Sequence, residues 1–384
     1  MKSREFIILG FNAHPFCSEG VSRITYNTYT GLKKYSDTTY LISYIDKSFE
    51  PTFKITNERD PHSLYFADKG VIKSALLNLV KSLRKPITIV NTYGLTQRVM
   101  TYGIIKALRG KDTCVVFSLF SRPFTLLEKL QYIPPDVILT YSPSETVYLS
   151  RFFPVLSRRI VTALVPIDTD HFSPRGKALA RRIVSGELGI NLESNDIVIG
   201  YMGNIFPDRF PPVIFKVLRD LTRKIDIKMV IISPPYGRRS YKPSVDKIIE
   251  KFNLSRNVIY MEKFVDYELR PYVYASLDVF LHLYKWRETP YPFLTALESM
   301  SSGVLTVLTN SVEWRWISRN EPIAPIVEIE RLEESTQKVL SEIMATELFR
   351  DTNLLSKLRE RIVSLFSLDK ASFHLIKKLD EWCF

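Results

Sequence analysis

Cysteine is scarce. Cys17, Cys114 and Cys383 are the three in 384 residues, too few and too far apart for a disulfide framework or a metal knuckle. Unpaired cysteines favour a reducing compartment, so a cytoplasmic protein is expected. The histidines His62, His171, His282 and His374 are scattered, and none shares metal-ligand spacing with carboxylates, so no metal site is expected. No apolar run approaches 18 residues, and nothing is long enough to span a bilayer. The opening "MKSREFIILGFN" leads into a strand-like run whose apolar part is too short for a signal peptide. A Gly-rich P-loop and a G-x-S-x-G nucleophile elbow are both missing, which sets aside the nucleotide hydrolysis and acyl transfer those motifs serve. Acidic charge is the minority sign: 41 Asp and Glu against 53 Lys and Arg, a net charge of +12. Such a balance favours anionic partners, whether nucleotides, nucleic acid or acidic lipid.

What is present is apolar and rhythmic. Hydrophobic residues make up 45% and aromatics 12%, ample for two cores, and the length suits two domains of ordinary size. In the first half "EFIILG", "TTYLISY", "ITIVNT", "CVVFSLF", "DVILTYS" and "RIVTALV" read as strands, with helices near 21–35, 70–84, 96–109 and 144–153 between them. In the second half "DIVIGYMG", "KMVIISP", "NVIYMEK", "DVFLHLY" and "VLTVLTN" alternate with helices near 211–224, 244–253, 267–276 and 291–302. Near-continuous apolar strands alternating with helices predict parallel sheets covered on both faces. The expected fold class is therefore α/β: two doubly wound, Rossmann-like domains facing each other across a cleft. The divisions expected are 1–170, a polar and basic linker at 171–194, a second domain at 195–360, and C-terminal helices at 361–384 that can pack back on the first domain.

In open parallel sheets, ligands bind beyond the carboxyl ends of the strands. The segment "ETPYPFLTALESMSSGVLTVLTN" (288–310) follows one such strand. Thr289 and Pro290 suit a helix start and Gly303 a stop. Phe293, Leu297 and Met300 share an inward face at i, i+4, i+7 spacing, and Glu298 lies about 100° round from Leu297. A helix mouth offers N–H groups and partial positive charge to a phosphate, whereas a carboxylate further along the helix can accept both hydroxyls of a ribose. Arg209, in "FPDRFPP" before another helix, suits a diphosphate. Gly20, in the loop that opens the helix after the first strand, lets backbone approach a phosphate or serves an ordinary turn, and His14 in the same loop reads as a surface residue or as a polar group on the acceptor side. "PPYGRRSYKPS" (234–244) mixes Arg238, Arg239 and Lys242 with Tyr236 and Tyr241, and reads as a loop near the donor cleft or as a nucleic-acid contact. In "KGVIKSALLNLVKSLRKP" (69–86) an apolar stripe opposes Lys73, Lys81, Arg84 and Lys85, the pattern either of a sheet-covering helix or of one lying on anionic lipid.

Several stretches together resemble the retaining nucleotide-sugar glycosyltransferases of the GT-B fold, family four in particular. "VPIDTDHFSP" (165–174) resembles the family's interdomain P-G-V-D-x-x-x-F-x-P. "YELRPYVYASLDVFLH" (267–282), with Asp278 opening the strand, resembles the stretch before the donor site. "LESMSSGVLTVLTN" (297–310) resembles LEAMA-x-G-x-P-V-V and puts Glu298 at the glutamate that holds the donor ribose in relatives. "DVILTYSPSETVYLSRFF" resembles the pair before the linker. Some positions depart: the family's other glutamate position falls on Pro290, with Glu288 two residues early. "GNIFPDRFP" carries Asn204 where the phosphate grip has arginine and Arg209 in place of its lysine, and Phe120 stands where a histidine is expected.

The resemblance implies a transferase that moves a sugar from a nucleoside-diphosphate sugar to an acceptor, with retention and without a metal or bound cofactor. Glu288 and Arg209 are the expected catalytic residues, and Gly20, Gly203, Asn204, Arg209, Phe293, Leu294 and Glu298 the expected donor-binding ones. The acceptor stays open between a lipid-linked sugar, a glycan and a protein, and an anionic membrane surface stays open as a partner of a peripheral protein. The departures leave a second reading, a catalytically weakened GT-B protein acting as a binding or assembly partner. A third reading, nucleic-acid binding driven by the net charge of +12, ranks last and nucleic acid is not expected as a partner, since no module for it is visible.

Overall fold

A computed structural model describes residues 4–15, 17, 20–45, 61–92, 103–119, 135–152, 154–207, 209–235, 242–285, 294–318 and 324–383. The chain divides into two compact units. The first holds the described residues up to Asp168 and those from Leu365 on, the second those between Thr169 and Ser364.

Among the described residues, the first unit is built on a seven-stranded sheet of order β3-β2-β1-β4-β5-β6-β7. Its strands are β1 (Phe6–Phe11), β2 (Thr39–Tyr44), β3 (Ser63–Phe66), β4 (Ile87–Thr92), β5 (Cys114–Leu119), β6 (Val137–Thr140) and β7 (Ile160–Thr162). Every pairing is parallel, and every residue of β1 is buried, as a sheet covered on both faces requires. Helices α1 (Gly20–Lys33), α2 (Lys69–Ser82) and α3 (Pro143–Phe152) cover it. Asp68 caps α2 by accepting from the Gly70 N–H at 2.7 Å. The apolar stripe of α2 lies in the core: Ile72, Leu76 and Val80 pack with Ile7, Val90 and Phe117. On and just after α2, Lys73, Lys81, Arg84 and Lys85 are exposed, and so is Val71, at 44%.

The C-terminal helix α12 (Leu368–Cys383) packs on α1 within this unit. The two meet at Gly31, where a Cβ would lie 2.8 Å from the Leu368 carbonyl oxygen, so only glycine permits the approach. Tyr35 Oη donates to the Asp369 carboxylate at 2.8 Å. A disulfide joins Cys114 at the start of β5 to Cys383 at the end of α12, with Cα atoms 5.5 Å apart. The expectation of unpaired cysteines is thus corrected. A separation of 269 residues hides the pair until α12 docks.

The second unit holds a six-stranded parallel sheet of order β10-β9-β8-β11-β12-β13 among the described residues. Its strands are β8 (Ile197–Met202), β9 (Ile227–Ser233), β10 (Val258–Glu262), β11 (Val279–His282), β12 (Leu305–Thr309) and β13 (Ile326–Val327). The helices are α4 (Lys177–Leu188), α5 (Val213–Thr222), α6 (Lys242–Lys251), α7 (Arg270–Ala275), α8 (Leu294–Ser301), α9 (Val312–Ser318), α10 (Leu332–Thr346) and most of α11 (Thr352–Phe366). The stretch expected as a polar, basic linker contains α4, whose Ala180, Arg181, Val184 and Leu188 are buried. Among the second unit's helices α8 stands apart, with Leu294 and Ala296 to Ser301 all buried. It is enclosed on every side rather than striped.

Candidate functional site

The second sheet changes direction between β8 and β11: β8 to β10 build outward one way, β11 to β13 the other. In doubly wound sheets the loops at the carboxyl ends of such a pair diverge and leave a ligand crevice. The residues singled out in the second unit follow these two strands.

After β8, Gly203 adopts φ +151°, a conformation open to glycine, and donates its N–H to the Ile232 carbonyl at 3.0 Å. The Tyr201 hydroxyl donates to the Asn204 carbonyl at 2.7 Å and would lie 3.2 Å from a Cβ at Gly203, so tyrosine and glycine fix this loop together. Arg209 is half-buried, with its guanidinium over the Phe206 ring at 5.4 Å. Its charge is felt at the end of β11: burial first, then Arg209, pushes the His282 pKa down to about 3. His282 is 3% exposed, and its ring lies 4.7 Å from that of Tyr284 and meets the Trp314 ring edge-on at 6.4 Å. At neutral pH the imidazole is uncharged, and Arg209 supplies the positive charge beside it.

Past β11, Glu298 sits on α8 with 0% exposure. It accepts a hydrogen bond from the Tyr274 hydroxyl on Oε2 at 2.8 Å, and Arg270 Nη1 stands 4.0 Å from Oε1. Burial, and after it the negative charge of Glu298, raises the Tyr274 pKa well above its ordinary value, so the phenol stays protonated and donates. Leu294, also expected at the donor, is buried as the first described residue of α8. Glu288 and Phe293 lie outside the described residues, as do Thr289, Pro290 and Phe120. The helix ends at Gly303, φ +77°, whose N–H bonds the Met300 carbonyl at 3.1 Å. Pro174 packs against that glycine, 3.1 Å from where a Cβ would stand. Ser301 Oγ donates to the Phe172 carbonyl at 2.7 Å, and Arg359 donates to the Thr169 and Ser301 carbonyls. His171 stacks on Tyr267 with ring centroids 4.0 Å apart. The second half of "VPIDTDHFSP" and "LESMSSG" therefore meet in space.

Beneath this region, Asp278 ties α4 to the sheet. Its carboxylate accepts from Arg181 Nη2 at 3.0 Å, from the Val198 N–H at 2.8 Å and from Lys177 Nζ. The partners of Glu298 and the charge network of Asp278 were missed by periodicity. For Glu298 the visible signal is the spacing of Arg270 and Tyr274, four residues apart and thus on one helix face.

In the first unit, Gly20 opens α1 with nothing within 4 Å of a Cβ added there. Its side is open, and no steric rule demands glycine. The preceding loop is held from within: Arg23, 1% exposed, donates to the Pro15 and Cys17 carbonyls at 2.7 Å, and Ser22 Oγ to the Phe11 carbonyl at 2.8 Å. His14 is 1% exposed, which corrects the expectation of a surface histidine. The loop folds inward on Arg23, something a polar stretch in sequence does not reveal. Among the described residues no group of three or more His, Cys, Asp or Glu is placed to hold a metal ion. No helix of the described residues is long and apolar enough to cross a membrane.

The second sheet thus carries a switch point with a buried carboxylate on the helix that follows β11, and comparison with known proteins shows the GT-B fold. Residues 189–340 match the family model described as glycosyl transferases group 1. HepE of Anabaena, solved with UDP and glucose, is 11% identical with a TM-score of 0.75, over 98% of this chain and 100% of its own. Sucrose-phosphate synthase of Thermosynechococcus elongatus is 14% identical, TM-score 0.71, over 98% and 99%. A glycosyltransferase of Rickettsia africae is 14% identical, TM-score 0.72, over 98% of each chain. No curated protein matches in sequence.

Proposed function

We propose that the protein transfers a sugar from a nucleoside-diphosphate sugar, with retention at the anomeric carbon and without a metal ion. The reading rests on one observation: Arg209 and Glu298 follow the two strands that flank the switch point, in the segment that matches the group 1 family. A diphosphate leaving group carries its charge to the loop after β8, where Arg209 is the cation and His282 stays neutral. Fixed positive charge in a half-buried site stabilises such a group far better than water does. Glu298 accepts the ribose hydroxyls, Gly203 and Asn204 bring backbone to the phosphates, and Leu294 and Phe293 are assigned to donor binding. Glu288 is the proposed contact to the transferred sugar. Gly20 and the first unit are assigned to the acceptor side. UDP is the first nucleotide to try, since HepE was solved with UDP and with UDP-glucose.

Asn204 in place of the family's arginine removes one cation and favours a second reading, a protein that binds the donor but turns it over feebly or not at all. Both readings require nucleotide binding. In a thermal-shift screen of UDP, GDP, ADP and their sugars, a ligand at 100 times its dissociation constant should add about 2.7 kcal/mol. Arg209→Ala should weaken the nucleoside diphosphate far more than the bare nucleoside. Equal losses for both take Arg209 away from the phosphates, and no stabilisation by any of these ligands removes the donor reading.

A further inference from the structure

We propose that Tyr274 and Arg270 are positioning residues for the donor nucleotide, holding the Glu298 carboxylate in the one plane that can take both ribose hydroxyls. The inference rests on the donor reading above and concerns residues to which that reading gives no part.

A glutamate on a helix has no intrinsic control over the plane of its carboxylate. The last torsion joins a tetrahedral to a trigonal carbon and is broad, so rotamer preference leaves the two oxygens free to swing. Two-point recognition of a vicinal diol cannot tolerate that swing, because each hydroxyl needs its own oxygen lone pair at the right angle. Here the plane is set from outside. Tyr274 donates to Oε2 at 2.8 Å, and Arg270 stands 4.0 Å from Oε1. Both project from α7, one turn apart, towards α8. Neither partner is itself loose. The Tyr274 ring is wholly buried, with Phe280 edge-on at 5.4 Å and Phe172 at 6.0 Å. Arg270 is 8% exposed and donates Nε to the Val265 carbonyl. Burial keeps Tyr274 protonated, so its hydroxyl serves as a donor to Glu298.

One tyrosine bond takes one of about four lone-pair sites on a carboxylate. Accepting from Tyr274 is therefore compatible with accepting a diol. A role confined to stability would need no such arrangement, and the two roles part in one assay. The affinity of UDP is measured by calorimetry alongside that of 2′,3′-dideoxy-UDP, or the GDP or ADP pair if the screen selects those. The parent protein should favour the ribonucleotide. In Tyr274→Phe that preference should fall about tenfold, the value of a hydrogen bond to a charged group, while the dideoxy nucleotide binds within about twofold of the parent. Arg270→Lys, which keeps the charge, should retain more of the preference than Arg270→Gln, and it also reads the ratio if Tyr274→Phe does not fold. If Tyr274→Phe and Arg270→Gln weaken both nucleotides equally, or leave the ratio unchanged, the positioning role is overturned and the ribose role of Glu298 stands. A parent protein that binds both nucleotides alike overturns the ribose assignment itself, and the positioning role with it.

Discussion

Removing the Asp278 carboxylate should unhinge α4 from the second sheet. Asp278 is 6% exposed and Arg181 3%. The carboxylate serves Arg181, Lys177 and the Val198 N–H together. Asp278→Ala leaves a buried guanidinium without its counter-charge, a change that costs about 3–5 kcal/mol in buried pairs. Arg181 keeps the carbonyls of Ser276, Ser194 and Asp196 at 2.9–3.2 Å, which places the loss near the lower end. Lys177, with its side chain 41% exposed, adds little. The expected cost is about 3 kcal/mol, or roughly 6–12 °C in the melting transition of a unit this size. Urea unfolding of Asp278→Ala, Arg181→Met and the double variant isolates the pair, and the double variant should lose less than the sum of the singles. A loss under about 1 kcal/mol for Asp278→Ala, or full additivity in the cycle, refutes the reasoning.

His282 gives a pH prediction. Its folded pKa of about 3 lies below the unfolded 6.5, so below pH 6.5 the unfolded chain binds the extra proton. The stability tied to neutral His282 is whole above that value and is lost at about 1.4 kcal/mol per pH unit as pH falls towards 3. Removing the titration with His282→Asn should flatten the acid limb of a pH–stability curve, and an unchanged limb contradicts the assignment. Cys383→Ser opens a loop of 269 residues and should lower the stability of the first unit by about 2–4 kcal/mol. Denaturant unfolding of the parent with reductant should match that variant, and a parent indifferent to reductant contradicts the pairing.

The doubly wound architecture was legible because buried parallel strands are written as apolar runs: "DVFLHLY" and "VLTVLTN" could scarcely be anything else between helices. Shorter elements escaped. β3 is four residues, Ser63–Phe66, and β13 is two, Ile326–Val327, too short for periodicity to register. The stretch before β8 reads as a linker because it is polar and basic, and the burial of its Arg181 makes sense only once Asp278, 97 residues away, is beside it. Glu298 was found through the resemblance of its segment, since spacing alone left it at the edge of a stripe. Its enclosure arises because α8 is covered on all sides, including by the segment of Phe172 and Pro174. Tyr274 and Arg270 announced themselves only as a helix face. Their chemistry depends on which helix that face meets, and sequence order does not give that.

The central claim is sugar transfer with retention, and donor hydrolysis in the absence of acceptor tests it most directly. Proton NMR of the protein incubated with the nucleoside-diphosphate sugar selected by binding resolves the first free sugar before it mutarotates. The account predicts slow release of nucleoside diphosphate and of sugar in the donor's own anomeric configuration, with release lost in Arg209→Ala. Sugar of the opposite configuration, or a donor that binds tightly and is never cleaved with any acceptor supplied, contradicts it.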